Sequence, residues 1–286
     1  MMNGTQDRLA ISVAQLGVVA ANPDRNLATA KHALEGLPRY EQQLIVFPEC
    51  FLTGYVTSTP EETASRAISL DHPVFDSLRQ LSRDTGTHLV VGFLERSTNA
   101  VFNSTVLTTP GGELHRYRKQ HLLKLGADAF AAAGGVQNAV VDLEFGRTGM
   151  MICYDLRLPE TARRLALEGA DVIAMPTNWP ATATILADHF ARVRAAENGV
   201  YLAIANRPDS EAGIQFLGRS QVIDPNGEVL LDAGIDEGVF TVLVDISLAA
   251  EKQRVVSAGN YEFNLFSDRR PELYGLLSED HPSTLE

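Results

Sequence analysis

The segment Thr148-Gly149-Met150-Met151-Ile152-Cys153-Tyr154-Asp155-Leu156-Arg157 changes abruptly from mostly apolar to polar residues at Cys153. An apolar run that ends in this way predicts a buried strand followed by a turn. The end of a strand holds a thiol in place, and the turn can direct the backbone N–H of Tyr154 to the same point. The segment therefore predicts a nucleophile beside an oxyanion donor, although a free cysteine is most often a small buried apolar residue.

The overall composition is that of a globular protein with one large domain or two small ones. The 286 residues are 45% apolar and 21% charged, and the net charge is −12. Such an acidic chain argues against a nucleic-acid or anionic-membrane surface, which needs clustered Lys and Arg. The sequence has no run of about 18 apolar residues that would predict a membrane span. Met1–Leu9 lacks the apolar core of a signal peptide.

The cysteines and histidines show no pattern that predicts disulfide bonds or a metal site. Cys50 and Cys153 are the only cysteines, so we expect no disulfide framework and a cytoplasmic location. The spacings CxxC, HxxxH and HExxH are absent, so no metal site is expected.

Short apolar runs alternate with helical stretches along the chain, which predicts an α/β fold. The predicted strands are Leu9–Val13, Leu44–Phe47, His88–Leu94, Val101–Thr108, Leu114–Arg118, Val140–Leu143, Thr148–Ile152, Val172–Met175, Tyr201–Asn206, Phe216–Ile223, Glu228–Leu231 and Phe240–Asp245. The predicted helices are Asn22–Leu37, Pro60–Thr85 with a break near His72-Pro73, Pro159–Glu168 and Asp188–Asn198. These elements predict one mixed sheet, or two sheets, covered by helices.

We see no linker, low-complexity segment or short repeat, so we expect residues 1–286 to form a single domain. From Ser257 onwards the chain becomes polar and irregular. Residues 257–286 are therefore predicted to be a C-terminal tail, and we expect this tail to take part in contacts between subunits.

Three polar groups follow predicted strands and so can converge at one edge of a sheet. Glu49 follows the strand that ends in Phe47, Lys119 follows Arg118, and Cys153 follows Ile152. Taken singly, the glutamate is typical of a solvated loop and the lysine of a charged face. Taken together, they supply a base for the thiol and a cation that balances its charge and stabilises an oxyanion.

Strings of residues around these three positions give the chain a family resemblance. The strings are Phe47-Pro48-Glu49 with Thr53-Gly54-Tyr55, Tyr117-Arg118-Lys119-Gln120-His121-Leu122, Ile152-Cys153-Tyr154-Asp155 with Arg157 and Pro159-Glu160, Pro176-Thr177-Asn178-Trp179, Arg194-Ala195-Ala196-Glu197-Asn198-Gly199, Gly218-Arg219-Ser220 with Asp224-Pro225-Asn226-Gly227, and Asp268-Arg269-Arg270-Pro271-Glu272-Leu273-Tyr274. With these strings in this order along residues 9–276, the chain resembles the nitrilase superfamily of carbon–nitrogen hydrolases.

The resemblance implies a four-layer αββα sandwich of two mixed sheets, and a homodimer or higher homo-oligomer joined through the helices after the cysteine strand. It implies that Glu49 is the general base, Lys119 the transition-state stabiliser and Cys153 the nucleophile. No cofactor is implied. The expected partner is a small-molecule amide or N-carbamoyl substrate.

The loop after Lys119 departs from the family pattern. Many members carry a second glutamate seven residues before a glycine, and counting back from Gly135 places Asp128 there. Asp128 is one methylene shorter. It either positions Lys119 or the substrate, or it is an ordinary loop residue.

Several further residues are candidates for the substrate pocket. Tyr55, Asn178 and Trp179 are expected to line it, with a packed rim position as the alternative for Trp179. Asp155 is expected to pair with Arg157 and to support the turn of the nucleophile.

The expected reaction is hydrolysis of a small amide or N-carbamoyl compound through a thioester, with release of ammonia. Nitrile hydrolysis is less favoured, because Tyr154-Asp155 stands where that branch typically has Trp-Glu. Acyl transfer to an amine uses the same groups. A non-catalytic member that senses a metabolite or binds a partner is the alternative from another class.

Overall fold

The computed structural model describes residues 8–279, so the predictions for Met1–Asp7 and Asp280–Glu286 lie outside the described residues. The strands are β1 (Arg8–Gln15), β2 (Gln43–Val46), β3 (His88–Arg96), β4 (Val101–Thr108), β5 (Leu114–Arg118), β6 (Val140–Leu143), β7 (Gly146–Met150), β8 (Val172–Pro176), β9 (Tyr201–Ala205), β10 (Ser210–Glu211), β11 (Ile214–Gln215), β12 (Gln221–Ile223), β13 (Val229–Asp232), β14 (Gly238–Asp245), β15 (Gln253–Ser257) and β16 (Tyr261–Asn264). The helices are α1 (Pro23–Leu34), α2 (Pro60–Arg66), α3 (Pro73–Thr85), α4 (Pro159–Leu167), α5 (Ala191–Asn198) and α6 (Ser247–Ala250).

Twelve of the strands form two six-stranded mixed sheets. The first sheet has the order β14-β1-β2-β3-β4-β5, and the second has the order β13-β12-β9-β8-β7-β6. In the first sheet β1, β2 and β3 run parallel, and in the second β7, β8 and β9 run parallel. The remaining neighbours are antiparallel.

The two sheets pack face to face and carry helices on their outer faces. Strand β1 contacts β9 and β12, and β2 and β3 contact β8. Helices α1 and α3 cover the first sheet, while α4 and α5 cover the second. This arrangement is the predicted four-layer αββα sandwich. In residues 8–279, every helix is too short or too polar to cross a lipid bilayer.

Burial on both faces explains why the central strands are apolar throughout. Ile45 packs into the core between the first sheet and its helices, together with Leu27 and Leu78. Its neighbours Leu44 and Val46 are equally buried, and alternation along a strand directs them to the other face, towards the second sheet. A strand covered on both sides therefore shows no polar alternation in its sequence.

The predicted break in the helical stretch Pro60–Thr85 is confirmed. Helix α2 ends at Arg66, and Ile68 pairs with Glu95 at the edge of β3. Helix α3 then begins at Pro73, whose fixed φ suits a first helical position. The side chain of His72 accepts a hydrogen bond from Val74 N–H, and the left-handed Gly86 ends the helix.

Two predicted strands differ from the observed ones for local reasons. The strand predicted over Thr148–Ile152 ends at Met150, because the N–H of Ile152 donates to the Asp155 carboxylate and begins a turn. The strand predicted over Phe216–Ile223 is interrupted by left-handed residues at Gly218 and Arg219, and only Gln221–Ile223 remains in the sheet.

The chain divides into two compact units, Met1–Ala250 and Glu251–Glu286. The described part of the second unit is the β15–β16 hairpin followed by short 3-10 turns at Pro271–Leu273 and Gly275–Ser278. Contrary to expectation, the segment from Ser257 is not irregular throughout, because Tyr261–Asn264 pairs with Gln253–Ser257. The single domain, the C-terminal tail and its contacts with other subunits stay predictions.

Strand β3 passes directly beneath the loop that follows β2, and this close approach requires a glycine. A Cβ atom on Gly92 would lie 2.5 Å from the Cys50 nitrogen and 2.9 Å from the Cα of Glu49.

We expect Gly92→Ala to lower the free energy of unfolding by about 2 kcal/mol, because overpacking forces the loop away. Urea denaturation measures the change. Gly135→Ala is the control, since its Cβ would meet nothing within 4 Å; equal stability of the two variants would contradict the prediction.

Candidate active site

Both sheets contribute the ends of their strands to one site. Glu49 lies shortly after β2, Lys119 follows β5 directly, Cys153 follows β7 and Asn178 follows β8. Because β2 and β5 end at one edge of the first sheet, and β7 and β8 end at one edge of the second, these residues meet where the two edges face each other. The three predicted residues therefore do converge, but across the edges of two sheets and not at one edge of a single sheet as predicted.

Hydrogen bonds between the two sheets fix the loop that carries Glu49. The Glu49 N–H donates to the Thr177 carbonyl at 3.4 Å, and the Asn178 side chain donates from Nδ2 to the Glu49 carbonyl at 2.9 Å. Cys50 adopts a left-handed conformation with φ 50°. Asn178 was expected to line the substrate pocket, and one of its roles in the structure is to hold the backbone of Glu49.

Lys119 lies between two carboxylates in a region without solvent contact. Its Nζ atom is 2.7 Å from Oε1 of Glu49 and 2.5 Å from Oδ2 of Asp128, and all three side chains are fully buried. Asp128 stands in a 3-10 turn, Gly126–Ala129, and its Oδ2 also accepts from the Leu123 N–H at 3.3 Å. The structure therefore brings Asp128 into direct contact with Lys119, despite its shorter side chain.

Asn103, on β4, completes this cluster and was missed by the sequence analysis. Its Nδ2 atom donates to Oε1 of Glu49 and to Oδ1 of Asp128, both at 2.7 Å. Asparagine is uncommon in strands, so an Asn inside Val101–Thr108 was the signal that could have pointed to it. We call Glu49, Asn103, Lys119 and Asp128 the polar ring.

Burial and neighbouring charges shift the pKa values of this cluster. Burial, together with the negative charge of Asp128, raises the pKa of Glu49, although Lys119 and the Asn103 amide oppose that shift. Burial alone would lower the pKa of Lys119, but Glu49 and Asp128 raise it well above its usual value. Lys119 is thus held as an ammonium, while Glu49 is a stronger base than an exposed carboxylate.

Cys153 stands in a strained turn at the start of a 3-10 segment, Cys153–Arg157. Its φ of 46° lies in the left-handed region, which costs a non-glycine residue about 1–3 kcal/mol. Burial and the charge of Glu49 raise the pKa of the thiol to about 12, although Lys119, the Thr177 hydroxyl and the Asn178 N–H favour the thiolate. The resting thiol therefore keeps its proton at neutral pH and needs a base.

Asp155 clamps this turn with four hydrogen bonds. Oδ2 accepts from the Ile152 N–H at 3.0 Å and from the Tyr117 hydroxyl at 2.8 Å. Oδ1 accepts from the N–H of His121 at 3.0 Å and lies 2.8 Å from its Nδ1 atom. The expected pair with Arg157 is wrong: the ionisable partner of Asp155 is His121, and the Arg157 guanidinium lies over the ring of Phe190 instead.

The remaining candidates surround the cluster. Tyr55 is buried, its hydroxyl donates to the Leu125 carbonyl at 3.0 Å, and its ring centroid lies 5.9 Å from Nζ of Lys119. Trp179 is buried at the start of the loop after β8, and its backbone N–H donates to Asn206. Tyr154 lies in the first turn of the 3-10 segment, where backbone N–H groups have no partner within the helix.

The arrangement as a whole combines a protonated thiol, a buried carboxylate of raised basicity and a fixed ammonium. Such a set can transfer a proton from the thiol, add the sulfur to an electrophilic carbon and stabilise a negative oxygen. Two non-glycine residues in left-handed conformations, Cys50 and Cys153, lie within it. Strain of this kind clusters at functional sites.

Comparisons of the sequence and of the structure with known proteins agree on one family. The family model for the carbon–nitrogen hydrolases matches residues 10–254. A nitrilase from Pyrococcus abyssi is 35% identical over 92% of this chain and 98% of its own, and a 2-oxoglutaramate amidase from Bacillus subtilis is 28% identical over the same shares. A Glu-to-Gln mutant of an amidase from Nesterenkonia sp. AN1 superimposes with a TM-score of 0.79 at 26% identity, covering 96% of this chain and 97% of that one. That structure contains the acetamide moiety of fluoroacetamide bound covalently to the active-site cysteine.

The contact between His121 and Asp155 makes the stability of the protein depend on pH. The hydrogen bond to Asp155 raises the pKa of His121 above 6.5. The stabilisation is therefore complete below about pH 6.5 and is lost as the pH rises through the raised value. We expect the difference in unfolding free energy between the wild type and His121→Asn to be largest below this pH and to shrink above it.

Urea denaturation across this pH range measures the difference. The same comparison in an Asp155→Asn background is the control, because the carboxylate that raises the pKa is then missing. A difference that stays constant with pH in the wild-type background would contradict the prediction.

Proposed function

The chain belongs to the carbon–nitrogen hydrolase family, and we propose that it hydrolyses a small primary amide or N-carbamoyl compound and releases ammonia. The observation that carries the proposal is the Oε2 atom of Glu49. Within the described residues 8–279, it is the one oxygen of the two ring carboxylates without a hydrogen-bond partner, and it is buried. An unpartnered proton acceptor, Oε2 of Glu49, thus lies in the same buried cluster as a protonated thiol.

The first half of the reaction forms a thioester on Cys153. Glu49 takes the thiol proton on Oε2 while the sulfur attacks the carbonyl carbon. The ammonium of Lys119 and the N–H of Tyr154 stabilise the oxyanion. The C–N bond then breaks, the proton on Glu49 passes to the departing nitrogen, and ammonia leaves.

The second half releases the acid and restores the enzyme. Glu49, again a carboxylate, takes a proton from a water molecule whose oxygen attacks the thioester carbon. The C–S bond breaks, and the sulfur recovers the proton from Glu49. Asp128 keeps Lys119 charged and in place throughout, because the ammonium retains one carboxylate partner at the moment when Glu49 is neutral.

Nitrile hydrolysis is the second candidate, because one relative of this chain carries the name nitrilase. Addition of the thiol to a nitrile gives a thioimidate, in which the nitrogen is still doubly bonded to carbon. A water molecule must therefore add to this carbon before ammonia can leave. Amides and nitriles therefore have to be compared on the same preparation. Acyl transfer to an amine is distinguished by the appearance of a substituted amide in place of the acid.

A panel of small amides, N-carbamoyl compounds and nitriles tests the proposal directly. We expect the wild type to release ammonia from at least one amide or N-carbamoyl compound. Cys153→Ala should lose this activity by at least about 1,000-fold, because the covalent step is lost. Mass spectrometry with fluoroacetamide should find the adduct on Cys153. If nothing in the panel releases ammonia and no adduct forms, the proposed function is wrong.

The pKa shifts fix the shape of the pH profile of kcat/KM. Activity requires the Glu49 carboxylate, whose pKa is raised above 4.5, so the rate falls as the pH drops through this raised value. The pKa of Lys119 lies well above 10.5, and that of Cys153 is about 12. We therefore expect a plateau that begins above the raised pKa of Glu49 and extends to about pH 10. A rise in rate between about pH 8 and 9 would indicate a thiolate mechanism, and a decline there would mean that Cys153 or Lys119 loses its proton far below these values; either result would contradict this assignment.

A further inference from the structure

Asn103 contacts the other members of the polar ring through both its backbone and its side chain. It is buried on β4, and its carbonyl accepts from the N–H of Lys119 at 2.8 Å. Its side chain joins Glu49 to Asp128, as described above. Because Lys119 joins the same two carboxylates from the other side, the four side chains close a ring of hydrogen bonds.

The orientation of the Asn103 amide is determined by its neighbours. The ring carboxylates act as hydrogen-bond acceptors here, so the atom that faces both of them must be Nδ2, which has two hydrogens. Each hydrogen is used once. Oδ1 then faces Cys50, whose sulfur lies 3.5 Å away and can donate a weak hydrogen bond.

The charges of the ring favour a neutral double donor at this position. Glu49 and Asp128 carry two negative charges against the single positive charge of Lys119, and none of these groups reaches water. A second cation in place of Asn103 would stabilise Glu49 as a weakly basic carboxylate, and an acid would add a third negative charge. The amide donates one hydrogen bond to each carboxylate and adds no charge.

The same contacts decide which oxygen of Glu49 stays available. Oε1 accepts from Lys119 and from Asn103, whereas Oε2 has no partner among residues 8–279. Without Asn103, Lys119 alone would hold the carboxylate, and a single hydrogen bond permits rotation that exchanges the two oxygens. Two donors on Oε1 hold the plane of the carboxylate.

We propose that Asn103 is a positioning residue that holds Glu49 through Oε1 and keeps Oε2 free for the proton transfers of the reaction. This inference rests on the proposed function, because it concerns the base of that reaction. Asn103 acts through Glu49 and Asp128, and it needs no contact with the substrate.

Kinetics of Asn103→Leu and Asn103→Thr test the role. Leucine removes both donors, while threonine suits a strand and supplies one hydroxyl hydrogen. We expect kcat to fall about 10- to 100-fold in the leucine variant, as for the loss of hydrogen bonds to a charged group, and less in the threonine variant. The amide lowers the pKa of Glu49, so the acid limb of kcat/KM should move to higher pH in both variants.

Asn26→Leu is the matched control, since Asn26 is also a buried asparagine but bonds to the backbone of Val19 and Leu52. It should lower the melting temperature without moving the acid limb. Thermal melting and the fraction of Cys153 that reacts with fluoroacetamide report the folded, competent protein. An acid limb that stays in place in folded Asn103 variants would overturn the inference, whether or not kcat falls. Failure of the proposed function is distinguishable, because the wild type itself would then be inactive.

Discussion

The ammonium of Lys119, enclosed between two carboxylates, is the interaction on which the rest of the site depends. Burial of an isolated ammonium would favour its neutral form, and burial of either carboxylate alone would favour the acid. The ammonium is therefore stable because both carboxylates are present, and the charge of Glu49 is stabilised by the ammonium. The loop after β2, the end of β5 and the 3-10 turn around Asp128 are joined at this point by charges that have no access to water.

The site also depends on the distance between the two sheets. The first sheet carries Glu49 and Lys119, and the second carries Cys153. Hydrogen bonds from Glu49 to Thr177 and from Asn178 to Glu49 cross the gap, while Tyr117 and His121 reach across it to Asp155. The packed apolar layer between the sheets therefore sets the distance between the Glu49 carboxylate and the Cys153 thiol.

The sequence predicted the features that depend on local pattern. The boundaries of β4, β5 and β6 were correct, and the ends of predicted strands singled out Glu49, Lys119 and Cys153. Residues buried on both faces do not indicate which sheet they belong to, so the residues alone left one sheet or two open, and the resemblance to a family decided it. The roles of the three residues in the reaction stay predictions.

What the sequence did not predict arises from contacts between distant residues. Asn103 lies 54 positions from Glu49, and only the pairing of β4 beside β3 brings them together. The partner of Asp155 is His121, which lies 34 positions away and follows β5, while the Arg157 guanidinium lies over the ring of Phe190. The β15–β16 hairpin was hidden because its strands are short and exposed.

The raised pKa of Cys153 has a consequence for the durability of the protein. Peroxide and similar oxidants react with the thiolate, so a buried thiol that keeps its proton is a poor substrate for them. In the proposed reaction the sulfur becomes a nucleophile only when Glu49 takes its proton, at the moment when the substrate supplies a carbonyl carbon for it to attack. The burial that makes a base necessary therefore also disfavours sulfenic acid formation on the free enzyme.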